Sequence, residues 1–146
     1  MSRVDVLRPF IEKHLASMLD MARIEPDTDG EYSFAHGSAE IRLRLIDDAF
    51  PILRLWAVLV RHVRKRAGLL EALNQINATE TGIRVFKAKD TVVAAWELPA
   101  ATLDERQFVD VCRRFARVAD RLDSDVATRF QGSTARADDD EDPVDA

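Results

Sequence analysis

The chain has 146 residues, 47% of them apolar and 32% charged, with a formal net charge of −5 and an isoelectric point near 5.2. That size suits one domain with a substantial core, and the acidic balance argues against a general nucleic-acid binder. A single cysteine, Cys112, excludes an internal disulfide. No run of about 18 apolar residues is present to cross a bilayer, and the charged N-terminus MSRVDVLRPFIEKH lacks a signal-peptide core, so the expected location is the cytoplasm.

Residues 4–22 place Val4, Leu7, Ile11, Leu15, Met18 and Ala22 at helical spacing, opposite Glu12, Lys13 and Asp20. Pro9 fits only the first turn of a helix, which sets the expected start near Asp5. Glu25–Gly30 reads as a turn cluster. Glu31–His36 and Ser38–Ile46 then alternate apolar and polar residues about Gly37, the pattern of a β-hairpin.

After the turn signal Asp47-Asp48, Ile52–Val60 reads ILRLWAVLV. With period two, Leu53, Leu55, Ala57 and Leu59 take one face, and Ile52, Arg54, Trp56, Val58 and Val60 the other. Both faces are apolar apart from Arg54, so the strand calls for cover on both sides. Two kinds of second cover are open: another polypeptide, or the last helix of the same chain wrapped around the sheet.

The basic run Arg61, His62, Val63, Arg64, Lys65, Arg66 follows. A helix over 68–78 buries Leu69, Leu70, Leu73 and Ile76, with Asn77 and Gly82 bracketing its end. Strands over 83–89 and 91–98 form a hairpin closed by Lys89-Asp90, and Pro99 stops the pairing. Thr102 or Asp104 caps a long helix over 104–130, whose stripe of Phe108, Val111, Cys112, Phe115, Val118, Ala119, Leu122, Val126 and Phe130 is apolar. Its other side carries Arg113, Arg114, Arg117 and Arg121 among Asp110, Asp120 and Asp123, read as a solvated face. Residues 131–146 are strongly acidic and poor in apolar residues, and are expected to form a disordered tail on a single domain of residues 1–130.

The element order α-β-β-β-α-β-β-α, in blocks, predicts an α+β fold with a five-stranded antiparallel sheet packed with helices. If Ile41, Leu43, Leu53, Leu55, Leu59 and Trp96 face those helices, the opposite face carries Arg42, Arg44, Arg54, Trp56, Val58, Arg84, Phe86 and Glu97. Tryptophan, phenylalanine and arginine are the types enriched at the centres of protein interfaces, so Arg42, Arg44, Arg54, Trp56, Val58, Arg84 and Phe86 form the candidate partner-binding surface.

Catalytic and metal chemistry has little support. His14, His36 and His62 stand far apart without ligand spacing, so no metal or cofactor is expected. Cys112 lies on an apolar stripe and reads as core. Asp27-x-Asp29-Gly30 lacks the remaining ligands of a calcium loop and reads as a turn. The chain is therefore expected not to be an enzyme. Arg61, Arg64, Lys65 and Arg66 are the only basic cluster. They read as a solvated loop, neutralised in one version by the protein's own acidic tail, or alternatively as a regulatory contact with nucleic acid or an acidic partner.

The segments LLEALNQINA (Leu69–Ala78), Arg84–Lys87, VVAAWELP (Val92–Pro99) and RVADRL (Arg117–Leu122), in this element order, resemble the YbjN family and its relatives, the bacterial type III secretion chaperone-like proteins. The resemblance covers roughly residues 5–130. It implies a small acidic α+β protein, often a homodimer, that holds an extended segment of a client polypeptide and has no catalytic residues. The basic run Arg61–Arg66 stands where many relatives have a neutral loop.

Overall fold

The structure is a computed structural model and describes residues 2–135. Its elements are α1 (Arg3–Met18), β1 (Tyr32–His36), β2 (Ala39–Asp47), β3 (Pro51–Val60), α2 (Leu69–Thr79), β4 (Arg84–Ala88), β5 (Thr91–Pro99) and α3 (Glu105–Phe130). The strands form one antiparallel sheet in the order β1-β2-β3-β5-β4, so the nine-residue apolar run lies in the central strand, as its two-faced pattern demands.

Helix α1 departs from the expected limits at both ends. Ser2 caps it through a capping box with Asp5, which moves the start ahead of Asp5 and leaves Pro9 inside the helix. Pro9 is exposed, so the carbonyl that its missing N–H would have engaged can meet water. At the other end Asp20 adopts φ +54°, Met21 N donates to the Ala16 carbonyl and Asp20 N to that of Ser17. This is a Schellman closure with aspartate in the position glycine usually takes, and it stops the helix before Ala22.

The core lies on one side of the sheet. Ile41, Leu43, Leu53, Leu55, Leu59, Val92 and Ala94 point to that side and meet Ile11 and Leu15 of α1 and Phe108, Cys112, Phe115, Ala119, Leu122 and Val126 of α3, all buried. Trp96, paired in register with Leu55, packs against the same cluster. Helix α2 contributes Leu69, Ala72 and Leu73 at the β4 end, whereas Leu70, expected on its buried face, is 68% exposed. Its Asn77 side chain donates to the Val85 carbonyl (2.9 Å) and accepts from the Val85 N–H (2.7 Å), closing the middle of the β4 edge.

Asp123, expected on the solvated side of α3, is fully buried. Ser38, in the turn between β1 and β2, donates its hydroxyl to Asp123 (2.8 Å) and its N–H to Asp120 (2.8 Å). Burial pushes the Asp123 carboxyl above the usual carboxylate range, against hydrogen bonds from Ser38 and Ser124 that lower it. The Gly37 backbone lies against Asp120 so closely that a Cβ there would fall 2.1 Å from its carboxylate. The hairpin tip is thereby clamped to α3.

Residues 131–135, assigned in the sequence to the tail, pack against the end of β3: Arg61 and Ser133 exchange both backbone hydrogen bonds, and Ala135 is buried. The remainder of the acidic stretch, 136–146, lies outside the described residues.

Candidate functional site

The face of the sheet turned away from α1 and α3 has no helix over it among the described residues. Of the two possible second covers, wrapping by α3 is therefore not the one used: α3 lies wholly on the core side. The register sets out the bare face in rows running across the strands. Arg44 of β2, Arg54 of β3 and Glu97 of β5 are neighbours in one row. Arg42, Trp56, Ala95 and Arg84 make the next, and Val58, Val93 and Phe86 the one after it. All seven residues of the candidate partner-binding surface thus stand on one face, brought there by period two in β2, β3 and β4.

Two carboxylates organise the arginines. Glu31 is held at the mouth of β1 by a closed loop: the Asp27 carboxylate accepts from the N–H groups of Asp29 and Glu31 (both 2.9 Å), and Asp27 N–H donates to the Glu31 carbonyl (2.9 Å). These backbone bonds, both to Oδ1, hold the Asp27 carboxyl below the usual carboxylate range. The Glu31 side chain, only 7% exposed, accepts the Trp56 indole N–H at 3.0 Å and pairs with Arg42 (3.3 Å) and Arg44 (3.5 Å). Glu97 pairs with Arg54 (3.2 Å) and Arg84 (2.6 Å). Arg42 also lies over the Trp56 ring at 5.2 Å, and Arg84 over Phe86 at 5.6 Å.

The Glu97 cluster joins two cations to one anion and so keeps a net positive charge, whereas in the Glu31 cluster Arg42 also meets Glu40 (3.5 Å) and the charges balance. Between them, Ala95 is too small to fill its place in the row. The result is an open depression of about 310 Å³ floored by Ala95 and Val93, walled by Trp56 and Phe86, and rimmed by Arg44, Arg54, Arg84 and Glu31. Phe86 is 40% exposed. The arrangement offers an apolar slot for one side chain and a cationic rim for acidic neighbours. Glu31, Val93 and Ala95 were not among the residues singled out in the sequence. Glu31 gives no local signal because its partners come from β2 and β3, and Ala95 matters by what it lacks.

A second groove, about 280 Å³, borders the β1 edge and is lined by Met18, Leu19, Phe34, Ala35, His36, Arg113, Ala116 and Arg117. Among the described residues no strand pairs with this outer edge of β1, whereas the β4 edge is capped at Val85 by Asn77.

The basic cluster stands apart from both, in the loop that follows β3. Its Arg64, Lys65 and Arg66 are exposed while Val63 is buried, and His62 faces Asp90 at 3.7 Å. The histidines do not converge: His14 lies near Glu105 (3.6 Å), and His36 is on β1. Cys112 is fully buried, and burial pushes its thiol up to about 12, far from a nucleophile's range. Among the described residues, no helix is long and apolar enough to cross a membrane.

A small α+β domain with helices on one side of an antiparallel sheet and an uncovered aromatic–arginine face on the other is a scaffold for binding polypeptide. The chain belongs to the family described as the T3SS (YopN, CesT) and YbjN peptide-binding chaperones, whose model matches residues 5–138. It is a peptide-binding chaperone of that family. The solved structures show the same fold at low sequence identity. The ExsC–ExsE complex matches with a TM-score of 0.65 at 17% identity, covering 84% of this chain and 96% of the other. The HopA1–SchA chaperone–effector complex gives 0.59 at 15%, covering 83% and 98%. YbjN from E. coli gives 0.57 at 18%, covering 90% and 95%. No curated protein sequence matches the chain significantly.

Proposed function

We propose that this chaperone holds an extended client segment against the bare face of its sheet, and does so without catalysis. The observation that supports this reading is the depression between Trp56 and Phe86, apolar at its floor and ringed by arginines, on a face that no described helix covers. An apolar client side chain enters the slot, and flanking acidic residues meet Arg44, Arg54 and Arg84. Two chains form a homodimer in the same reading, with Leu70, the most exposed large apolar residue of α2, as the contact. The site of action is the cytoplasm.

A second route has its own support: strand addition at β1, whose open edge adjoins the apolar groove beside Phe34. One experiment separates the two. A peptide array of alternating apolar and acidic residues is probed with the native chain, with Phe86→Asp and with Phe34→Ser, each checked for an unchanged fold by circular dichroism. Loss of capture of about tenfold or more in Phe86→Asp alone supports the face, and the same loss in Phe34→Ser alone selects the β1 edge. Trp56→Asp is the less clean variant, because it sets a second carboxylate against the buried Glu31. Equal capture by all three proteins refutes both routes, and light scattering on the same samples reads the dimer.

A further inference from the structure

Most arginines of α3 have a carboxylate beside them: Arg114 and Arg121 meet Glu80, Arg106 meets Asp110, and Arg129 meets Asp125. Arg113 and Arg117 are different. Both are exposed, and among the described residues neither is paired with a carboxylate. Four residues apart, they lie one turn from each other on the same side of the helix. That side borders the β1 edge, where both line the groove of about 280 Å³ together with Ala116.

Much of the remaining lining is apolar. Phe34 is paired in register with the core residue Ile41, so it stands on the helix side of the sheet, and Met18 and Leu19 of α1 adjoin it in the groove. Alternate residues of β1 direct their N–H and C=O groups outward, and among the described residues no strand takes them up. A segment added there turns every second side chain to the helix side, over the groove. Successive side chains on that side are about 6.8 Å apart, and Arg113 and Arg117 are roughly 5–6 Å apart at Cβ. With one side chain seated beside Phe34, the next on the same side therefore comes within reach of the arginines.

We propose that Arg113 and Arg117 select the segment added at β1: an extended stretch with an apolar residue and a carboxylate two positions apart. The apolar side chain lies among Met18, Leu19 and Phe34, and the carboxylate meets the two guanidinium groups. This rests on strand addition at β1, the second of the two routes above, and supplies that route with selectivity. Charge decides the occupant. Two copies of the chain joined edge to edge at β1 would bring Arg113 and Arg117 of both to the same side of the joined sheet. The arginines that attract an acidic segment thus repel a second copy.

The test measures fluorescence anisotropy of short peptides of alternating threonine and valine, acetylated and amidated, with one inner valine replaced by glutamate, glutamine or lysine. The glutamate peptide should bind the native chain about fivefold more tightly than the lysine peptide at about 20 mM NaCl, with glutamine between them, and the gap should close at about 500 mM. Arg113→Glu with Arg117→Glu, two exposed changes, should invert the order. Inversion is a gain of binding by the lysine peptide, which an unfolded variant does not produce. Phe34→Ser should weaken all three peptides, and Phe86→Asp should leave them unaltered. Binding that needs Phe34 but is equal for the three peptides overturns the role of the arginines and leaves strand addition standing. A glutamate preference that survives Arg113→Glu with Arg117→Glu does the same. Absence of binding, or binding indifferent to Phe34→Ser, overturns strand addition at β1 and this proposal with it.

Discussion

Removing the Glu31 carboxylate tests how the bare face is held. Glu31→Ala deletes the acceptor of the Trp56 indole N–H and the common partner of Arg42 and Arg44. A hydrogen bond to a charged acceptor contributes about 1.5–3 kcal/mol. The two ion pairs add less, at most about 1 kcal/mol each, because Arg42 and Arg44 are 34% and 43% exposed and water screens them. Against this stands the desolvation that a carboxylate only 7% exposed no longer suffers once it is gone. The balance is a loss of about 2 kcal/mol for Glu31→Ala. Glu31→Gln, which keeps an acceptor for the indole but not the charge, should cost about 1 kcal/mol by the same reasoning. Urea unfolding followed by circular dichroism measures both. Repeating it in 1 M NaCl should take the same ion-pair contribution out of both costs, and so shrink that of Glu31→Gln by the larger fraction. If both variants unfold within about 0.5 kcal/mol of the native chain, Glu31 does not organise this face.

Two further predictions concern the frame that presents the site. Asp123 has a carboxyl pKa raised in the folded state, by burial first and with the neighbouring Asp120 adding to the shift, so the folded chain binds that proton more tightly than the unfolded chain. Its protonated form therefore stabilises the fold fully below the ordinary carboxyl value of 3.8, and the contribution is lost as pH rises through the raised value. Asp123→Asn, neutral throughout and still able to accept from Ser38, should unfold at higher temperature than the native chain at pH 7, with the gap closing toward pH 4; calorimetry across that range reads it. Asn77→Ala frees the N–H and carbonyl of Val85 on the β4 edge. The expected cost is about 1–3 kcal/mol for two hydrogen bonds, together with concentration-dependent association visible by light scattering.

Much of the scaffold is legible in the sequence because its signals are local and periodic. The apolar stripe of α3 and the alternation in β2 and β3 fix which residues share a face, and that suffices to place Arg42, Arg44, Arg54, Trp56, Arg84 and Phe86 together. The exceptions are set by contacts distant in sequence. Asp123 looks like any acidic residue among arginines on a helix, and only Ser38, 85 residues away, buries it. Glu31 stands beside a turn, where a glutamate is ordinarily solvated, and its partners depend on the register of two other strands. Asn77 reads as a helix end, yet its carboxamide serves the edge of a strand that begins seven residues later. The end of α1 was hidden because Asp20, not glycine, takes the left-handed position.

The charge arithmetic of the bare face bears on how a chaperone can grip without gripping permanently. A purely apolar face of this extent would draw copies of itself together. Here Arg42 covers the Trp56 ring and Arg84 the Phe86 ring, so the aromatic surface is screened by groups that water still reaches. An arriving carboxylate need not evict Glu97, because it is shared by Arg54 and Arg84 and leaves one positive charge over. In the proposed mode the client's acids therefore gain a partner without leaving a buried charge alone, the step that costs most when ion pairs are exchanged. The gain per contact stays small, since these arginines are hydrated and already hydrogen-bonded. In the proposed mode selectivity falls to the slot above Ala95, with room for one apolar side chain, and to the arginines that flank it. A face built this way favours many weak, replaceable contacts along an extended segment, which suits a partner that must later be released.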